Sequence, residues 1–292
     1  MRHPRALYIG CLSLSFFASA TFAPDTVLYN NDFPDGKIAT ASGAPKGAES
    51  ADDFILGTAS TITSGSFTGL IPKTANIVSV GVEIYGACTP GSPFGAFGCT
   101  NLGKAVTRLN SPTSEALPGT ERTTGDGTLS YFPSLLNNGI GVVGSVVDGI
   151  NAQTPDVPAS LTGGDGPASG KEVRINFDLS EGIPLDAGHY FFVPSVELSD
   201  GSFLQLSAYR TVGGEFGSTL ITPDLQAWVR NDDIKNDWLR TGTDIIGGPT
   251  DPATYNLAFR LVGTVVVPEP TGVAMLIAGL FAVGAWTQRK RA

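Results

Sequence analysis

Between about Thr26 and Val267 apolar residues recur at every second position wherever a pattern is clear. Period two belongs to strands, because successive side chains point to opposite faces of a sheet. Val78, Val80, Val82 and Ile84 alternate with Ser79, Gly81, Glu83 and Tyr85. Val173, Ile175, Phe177 and Leu179 alternate with Arg174, Asn176 and Asp178, and Leu257, Phe259 and Leu261 with Ala258, Arg260 and Val262. The stretches Asp52 to Leu56, Thr61 to Leu70, Thr128 to Phe132, Tyr190 to Leu198, Phe203 to Tyr209 and Gln226 to Arg230 complete a set of about nine strands separated by turn chemistry. No stretch here has a convincing helical period. Many short amphipathic strands without intervening helices predict an all-β domain, an antiparallel jelly-roll-like β-sandwich with one core.

Two segments break this order. Asn110 to Gly127 and Asn151 to Gly170 are rich in Pro, Gly, Ser, Thr and Asp, and they read as long surface loops. Between them, Leu135 to Ile150 is apolar but punctured by Gly139, Gly141, Gly144 and Gly149. A glycine-bent strand pair and a covering flap are both open for it.

Composition narrows the function. Of 292 residues, 37 are glycine and 20 proline, which leaves little room for long soluble helices. The 27 acidic residues outnumber 18 basic ones for a net charge of -9. That sign repels phosphate backbones, so no nucleic-acid partner is expected. Only two histidines are present, which deprives most catalytic and zinc-binding layouts of their commonest side chain.

The two ends follow a different pattern. Arg2, His3 and Arg5 precede an apolar stretch from Ala6 to Phe17 and the small residues Ala18-Ser19-Ala20, the order of a secretory signal peptide cleaved after Ala20. At the other end, Val267-Pro268-Glu269-Pro270 leads into an apolar run from Thr271 to Thr287 and then Arg289-Lys290-Arg291. That run is at the lower limit of a bilayer span, since a hydrocarbon core of about 30 Å needs roughly 17 to 25 helical residues. Trp286 falls where an interfacial aromatic belongs, and Arg289, Lys290 and Arg291 form a basic stop held on the cytoplasmic side. Pro268 and Pro270 keep the segment ahead of the span extended, because proline fixes φ and disfavours helix in the residue before it. The expected organisation is a signal helix within 1–20, a β-sandwich over 21–266, and a tail over 267–292 with a short transmembrane helix.

This tail closely resembles the PEP-CTERM sorting signal: a Pro-Glu-Pro motif, a short apolar helix and an arginine-rich end. The resemblance implies that Pro268, Glu269 and Pro270 are recognised by an exosortase, an integral-membrane, transpeptidase-like enzyme of Gram-negative bacteria that also make exopolysaccharide. It implies an inner-membrane anchor before processing, then the cell surface or the extracellular matrix, with exopolysaccharide of a biofilm as a partner. The interior also resembles a group of small secreted or surface proteins carrying such tails, at Tyr29-Asn30-Asn31, Glu49 to Phe54, Val82 to Tyr85 and Leu185 to Phe191. That likeness implies a β-sandwich without enzymatic activity.

The candidate chemistry is sparse. Cys88 and Cys99 flank Thr89-Pro90-Gly91-Ser92-Pro93, and in an oxidising compartment they predict a loop disulfide. The alternative, a metal site, has too few ligands for structural zinc. His189 is the one histidine past the signal, and its place between Gly188 and Tyr190-Phe191-Phe192 reads as structural, at a strand edge. No G-x-S-x-G elbow, H-E-x-x-H helix or P-loop occurs. Asn231 to Asp237 is the densest acidic cluster, but Lys235 stands where a calcium ligand should be, so it reads as a solvated turn. Asp52 and Asp53 begin a strand and read as structural. Trp228 reads as core, whereas Trp238, after the acidic cluster, is the candidate exposed aromatic for glycan contact. No catalytic residue, metal or cofactor is expected. The leading reading is a non-enzymatic exported surface or matrix protein; the alternatives are a carbohydrate-binding module and a two-carboxylate hydrolase.

Overall fold

The alternating segments form strands, and each buries the face that its apolar residues define. The computed structural model describes residues 24–45, 47–94, 99, 109–148, 161–209, 226–234, 238–247 and 255–266. The expected signal peptide, and the tail with Pro268, Glu269, Pro270, Arg289, Lys290 and Arg291, lie outside these residues. Among the described residues no helix is long and apolar enough to cross a membrane.

The strands are β1 (Thr26–Asn30), β2 (Pro34–Ala41), β3 (Glu49–Leu56), β4 (Ser60–Ile71), β5 (Ile77–Gly86), β6 (Arg122–Thr123), β7 (Leu129–Val142), β8 (Gly144–Val146), β9 (Ala168–Leu185), β10 (Gly188–Leu198), β11 (Leu204–Ala208), β12 (Trp228–Arg230), β13 (Leu239–Arg240), β14 (Asn256–Leu257) and β15 (Phe259–Val265). One sheet has the order β13-β12-β3-β10-β5-β6. The other, of nine strands, centres on β4: β9 and then β7 lie on one edge, while β15 and β11 share the other. β1 follows β15, and β2 and β8 follow β11, with β14 also on β11. The described pairs are antiparallel except β2 with β8. The protein is thus an all-β sandwich of two sheets.

The core between the sheets is aromatic. Phe192 of β10 stacks on Phe177 of β9 at 6.0 Å and on Phe259 of β15 at 5.0 Å, and Phe67 of β4 meets Phe203 edge-on at 5.6 Å. Fully burying each such ring contributes roughly 1.5–3 kcal/mol. A second apolar cluster lies on the outer side of the six-stranded sheet, where Ala51, Tyr85, Phe191, Val193, Trp228 and Trp238 pack together. Buried on both faces, β10 carries an unbroken apolar run, Tyr190 to Val193, instead of an alternating one.

Three expectations are corrected. Val78, grouped by alternation with Val80 to Ile84, is 55% exposed. A register shift opposite it, between Glu197 and Leu198, lets Ile77 pack on the core in its place. The segment Asn110 to Gly127 is largely a loop with exposed turns, as expected, but it is not free: it carries β6 and covers the β5 edge. Its Thr124, Thr120 and Thr113 hydroxyl oxygens accept the N–H groups of Val80, Ile84 and Gly86 at 3.1, 3.3 and 3.1 Å, which occupies an edge otherwise open to pairing. Residues 168–170, placed in the second loop, already belong to β9; residues 151–160 of that loop lie outside the described ones. Leu135 to Asp148 is resolved in favour of strands, yet not a strand pair: β7 joins β9 and β8 joins β2.

Candidate functional site

The Cys88–Cys99 disulfide is formed, with Cα atoms 5.1 Å apart. It ties the end of the β5 edge to the segment beyond it, and Cys88 N–H donates to Ser111 O at 2.8 Å. His189 Nε2 lies 2.6 Å from Asp53 Oδ2, and its ring stacks on Phe191. Asp52 Oδ2 accepts the Leu257 N–H at 2.8 Å and so links β3 to β14 across the two sheets. Both aspartates act as structural fasteners. Of the acidic cluster, Asp232–Ile234 forms a single 3-10 turn with Ile234 buried, and Lys235 to Asp237 lie outside the described residues. Among the described residues no group of three His, Cys, Asp or Glu side chains could hold a metal ion.

Trp238 is the residue the structure relocates. Read as an exposed glycan contact, it is 1% exposed. Its Nε1–H donates to Thr113 O at 3.0 Å, its ring meets Tyr85 edge-on at 5.6 Å, and the Arg230 guanidinium lies 4.3 Å from its centroid. A buried cation over an indole face, in low dielectric, holds the ring inside. Trp228 is buried, as its pattern indicated.

Around Arg230 the outer layer of the six-stranded sheet forms a polar hub. Cross-strand register sets Arg230 of β12 opposite Glu49 of β3. The guanidinium donates to Glu49 Oε2 from Nε at 2.8 Å, to Ser114 O at 2.7 Å and to the Tyr85 hydroxyl at 3.0 Å. That hydroxyl in turn lies 2.7 Å from Glu83 Oε2 and 3.2 Å from Glu49 Oε2. Burial pushes the Glu83 carboxyl above the ordinary carboxylate range; the Tyr85 hydrogen bond opposes this, and Glu49 and Glu121 add to it. Burial and then Glu49 push the Tyr85 hydroxyl well up as well. Glu49 and Glu83 are two carboxylates sharing one phenol, but Arg230 neutralises the first, which makes the hub a fastener for Trp238 and the covering segment.

The outer face of the nine-stranded sheet is different. Register places Phe132, Asn176, Ser66 and Arg260 in one row across β7, β9, β4 and β15. Ser130, Asp178, Ser64 and Val262 form the adjacent row. With strands about 4.8 Å apart, each row spans roughly 14 Å. All of these residues except Ser130 line an open groove. Its floor is fixed by Asp32, which is buried and accepts from Ser66 Oγ at 2.9 Å and Thr68 Oγ1 at 2.6 Å beside Arg174 Nε at 2.7 Å. Neither the groove nor the Arg230 hub was read from the sequence, because the groove's members come from four strands and the hub's from β3, β5 and β12, and only the sheets bring them together.

Comparison with protein-family models, with curated proteins and with solved structures gives no match.

Proposed function

We propose that the chain is a non-enzymatic exported protein, carried across the inner membrane by its N-terminal signal and processed by an exosortase-type enzyme at Pro268-Glu269-Pro270. After processing it joins the cell surface or the extracellular matrix, where exopolysaccharide surrounds it. One observation carries this reading: the ordered succession of a proline motif, an apolar run from Thr271 to Thr287 and the basic stop Arg289, Lys290 and Arg291. Within 21–266 we read the sandwich as a jelly roll. Supporting that, β3, β5, β10 and β12 lie in one sheet and β4, β9 and β11 in the other, so the chain crosses between sheets at successive steps. The His189–Asp53 pair and the Arg230–Glu49 pair support a structural assignment of the ionisable groups.

Mass spectrometry of the C-terminus, in host cells with and without the processing enzyme, tests the proposal. Loss of Arg289 to Arg291 only where the enzyme is present is the expected result, and an intact basic end in both strains overturns it. The alternative of a carbohydrate-binding module is supported by the exposed Phe132 groove and not by Trp238, which is buried.

A further inference from the structure

The groove between β7 and β15 presents one large ring beside hydrogen-bonding groups of both signs. Phe132 is 55% exposed. Asn176 is pinned through its amide nitrogen, which donates to Phe132 O at 3.2 Å and Ser134 Oγ at 3.3 Å, so its Oδ1 is the atom left to accept. The side chains of Arg260 and Asp178, both exposed, have no hydrogen bond or ion pair among the described residues. An exposed arginine and an exposed aspartate on one groove, each without a partner, leave guanidinium donors and carboxylate acceptors available to a ligand.

We propose that this groove binds a short neutral oligosaccharide, with one sugar ring stacked on Phe132 and its neighbours hydrogen-bonded to Asn176, Asp178 and Arg260. A sugar hydroxyl both donates and accepts, which matches a row holding donors and acceptors side by side. The apolar C–H face of a pyranose matches an exposed aromatic ring, and an apolar platform with a few fixed polar groups is the usual form of a small-ligand site. Asp178 and Arg260 cancel in charge, and a chain of net charge -9 repels an anionic glycan. A protein partner fits worse, because the centre of a protein interface is mostly apolar, whereas this groove offers one exposed ring and one valine amid polar groups, Phe177 being buried in the core. The rows run across the strands, so the oligosaccharide lies perpendicular to β4 and β9. This site goes beyond the sorting reading and stands whether or not the tail is cut.

The test is an array of neutral gluco-, manno-, galacto- and xylo-oligosaccharides probed with the full chain, followed by calorimetric titration of the strongest hit. Phe132→Ala is expected to weaken binding about tenfold or more, Phe132→Tyr to retain it, and Arg260→Ala to weaken it severalfold. Tyr209→Ala, exposed but outside the groove, serves as the control and leaves affinity unchanged. Phe132 is exposed, so its truncation leaves the fold intact, which circular dichroism checks. The proposal is overturned if no neutral glycan binds, if Phe132→Ala binds as tightly as the native chain, or if only uronic-acid glycans bind and salt abolishes it.

Discussion

Arg230 stands directly opposite Glu49 across β12 and β3, its guanidinium 2.6 Å from the carboxylate and 4.3 Å from the centroid of the Trp238 ring. The arginine side chain is 8% exposed and the glutamate 31%, so the pair is asymmetric. Removing the arginine strands Glu49, Tyr85 and Ser114 O in a layer with little water, whereas removing the carboxylate leaves a cation still held by two rings. Arg230→Ala is expected to lower stability by about 3–5 kcal/mol, and Glu49→Gln by roughly 1–2 kcal/mol. Urea denaturation with an unchanged slope checks both. Equal losses for the two variants would show that the rings contribute nothing to holding the cation.

Glu83 gives the hub a pH dependence. Its folded pKa is raised above the ordinary value, chiefly by burial, so the fold disfavours its ionised form. Its contribution to stability is therefore fully present below the ordinary carboxylate value of about 4.3 and is lost as pH rises through the folded pKa. Glu83→Gln abolishes that loss. The variant is expected to melt higher than the native protein at pH 7 to 8, with the difference shrinking toward pH 4. A difference in melting temperature that stays constant across this range would refute the assignment.

The β5 edge yields a sharper test, because beyond the short pairing with β6 it is held by threonine hydroxyls and backbone bonds of the covering segment. Thr120 Oγ1 accepts Ile84 N–H at 3.3 Å and lies 2.7 Å from Leu117 O, to which it donates. Thr120→Val preserves shape and deletes both bonds, and an unpartnered buried N–H costs about 1–3 kcal/mol. Thr120→Ser, which keeps the hydroxyl, is expected to lose less than half as much. Equal losses for valine and serine would mean that the methyl packing, and not the hydroxyl, secures the cover.

The contrast between β9 and this cover shows what the chain discloses. Val173, Ile175 and Phe177 alternate because one face of β9 meets the core and the other meets water, so period two survives in the residues themselves. The cover from Ser111 to Thr124 buries threonines whose partners are backbone groups of β5, and that bonding leaves no periodicity, only a composition that resembles a loop. The burial of Trp238 is hidden in the sequence for a related reason. Its flanking residues are polar on one side, but the contacts that bury it, Tyr85, Thr113 and Arg230, come from distant parts of the chain. The groove was invisible because Phe132, Asn176, Ser66 and Arg260 are neighbours only through strand register.

The Cys88–Cys99 bond closes a loop with a sequence separation of 11. Constraining a loop of that length in the unfolded chain contributes about 2–3 kcal/mol. The double substitution Cys88→Ala and Cys99→Ala is expected to lose that amount at equilibrium, and the native protein to lose the same under reducing conditions. If reduction has no effect on the unfolding midpoint, the crosslink is absent from the folded protein in solution.

Gln205 of β11 is fully buried, between Thr40 of β2 and Gly69 of β4, and among the described residues neither its Oε1 nor its Nε2 has a hydrogen-bond partner. Each such group forfeits its hydration on folding with no protein bond in return, a penalty of about 1–3 kcal/mol. Methionine has similar length and flexibility and no amide to desolvate. Gln205→Met is therefore expected to raise stability by roughly 1–2 kcal/mol, measured by urea denaturation. A loss instead would mean that an ordered water satisfies the amide in solution, since such waters bond buried polar groups and are costly to displace. The two outcomes have opposite sign, so a single denaturation curve decides whether this layer between β2 and β4 is dry.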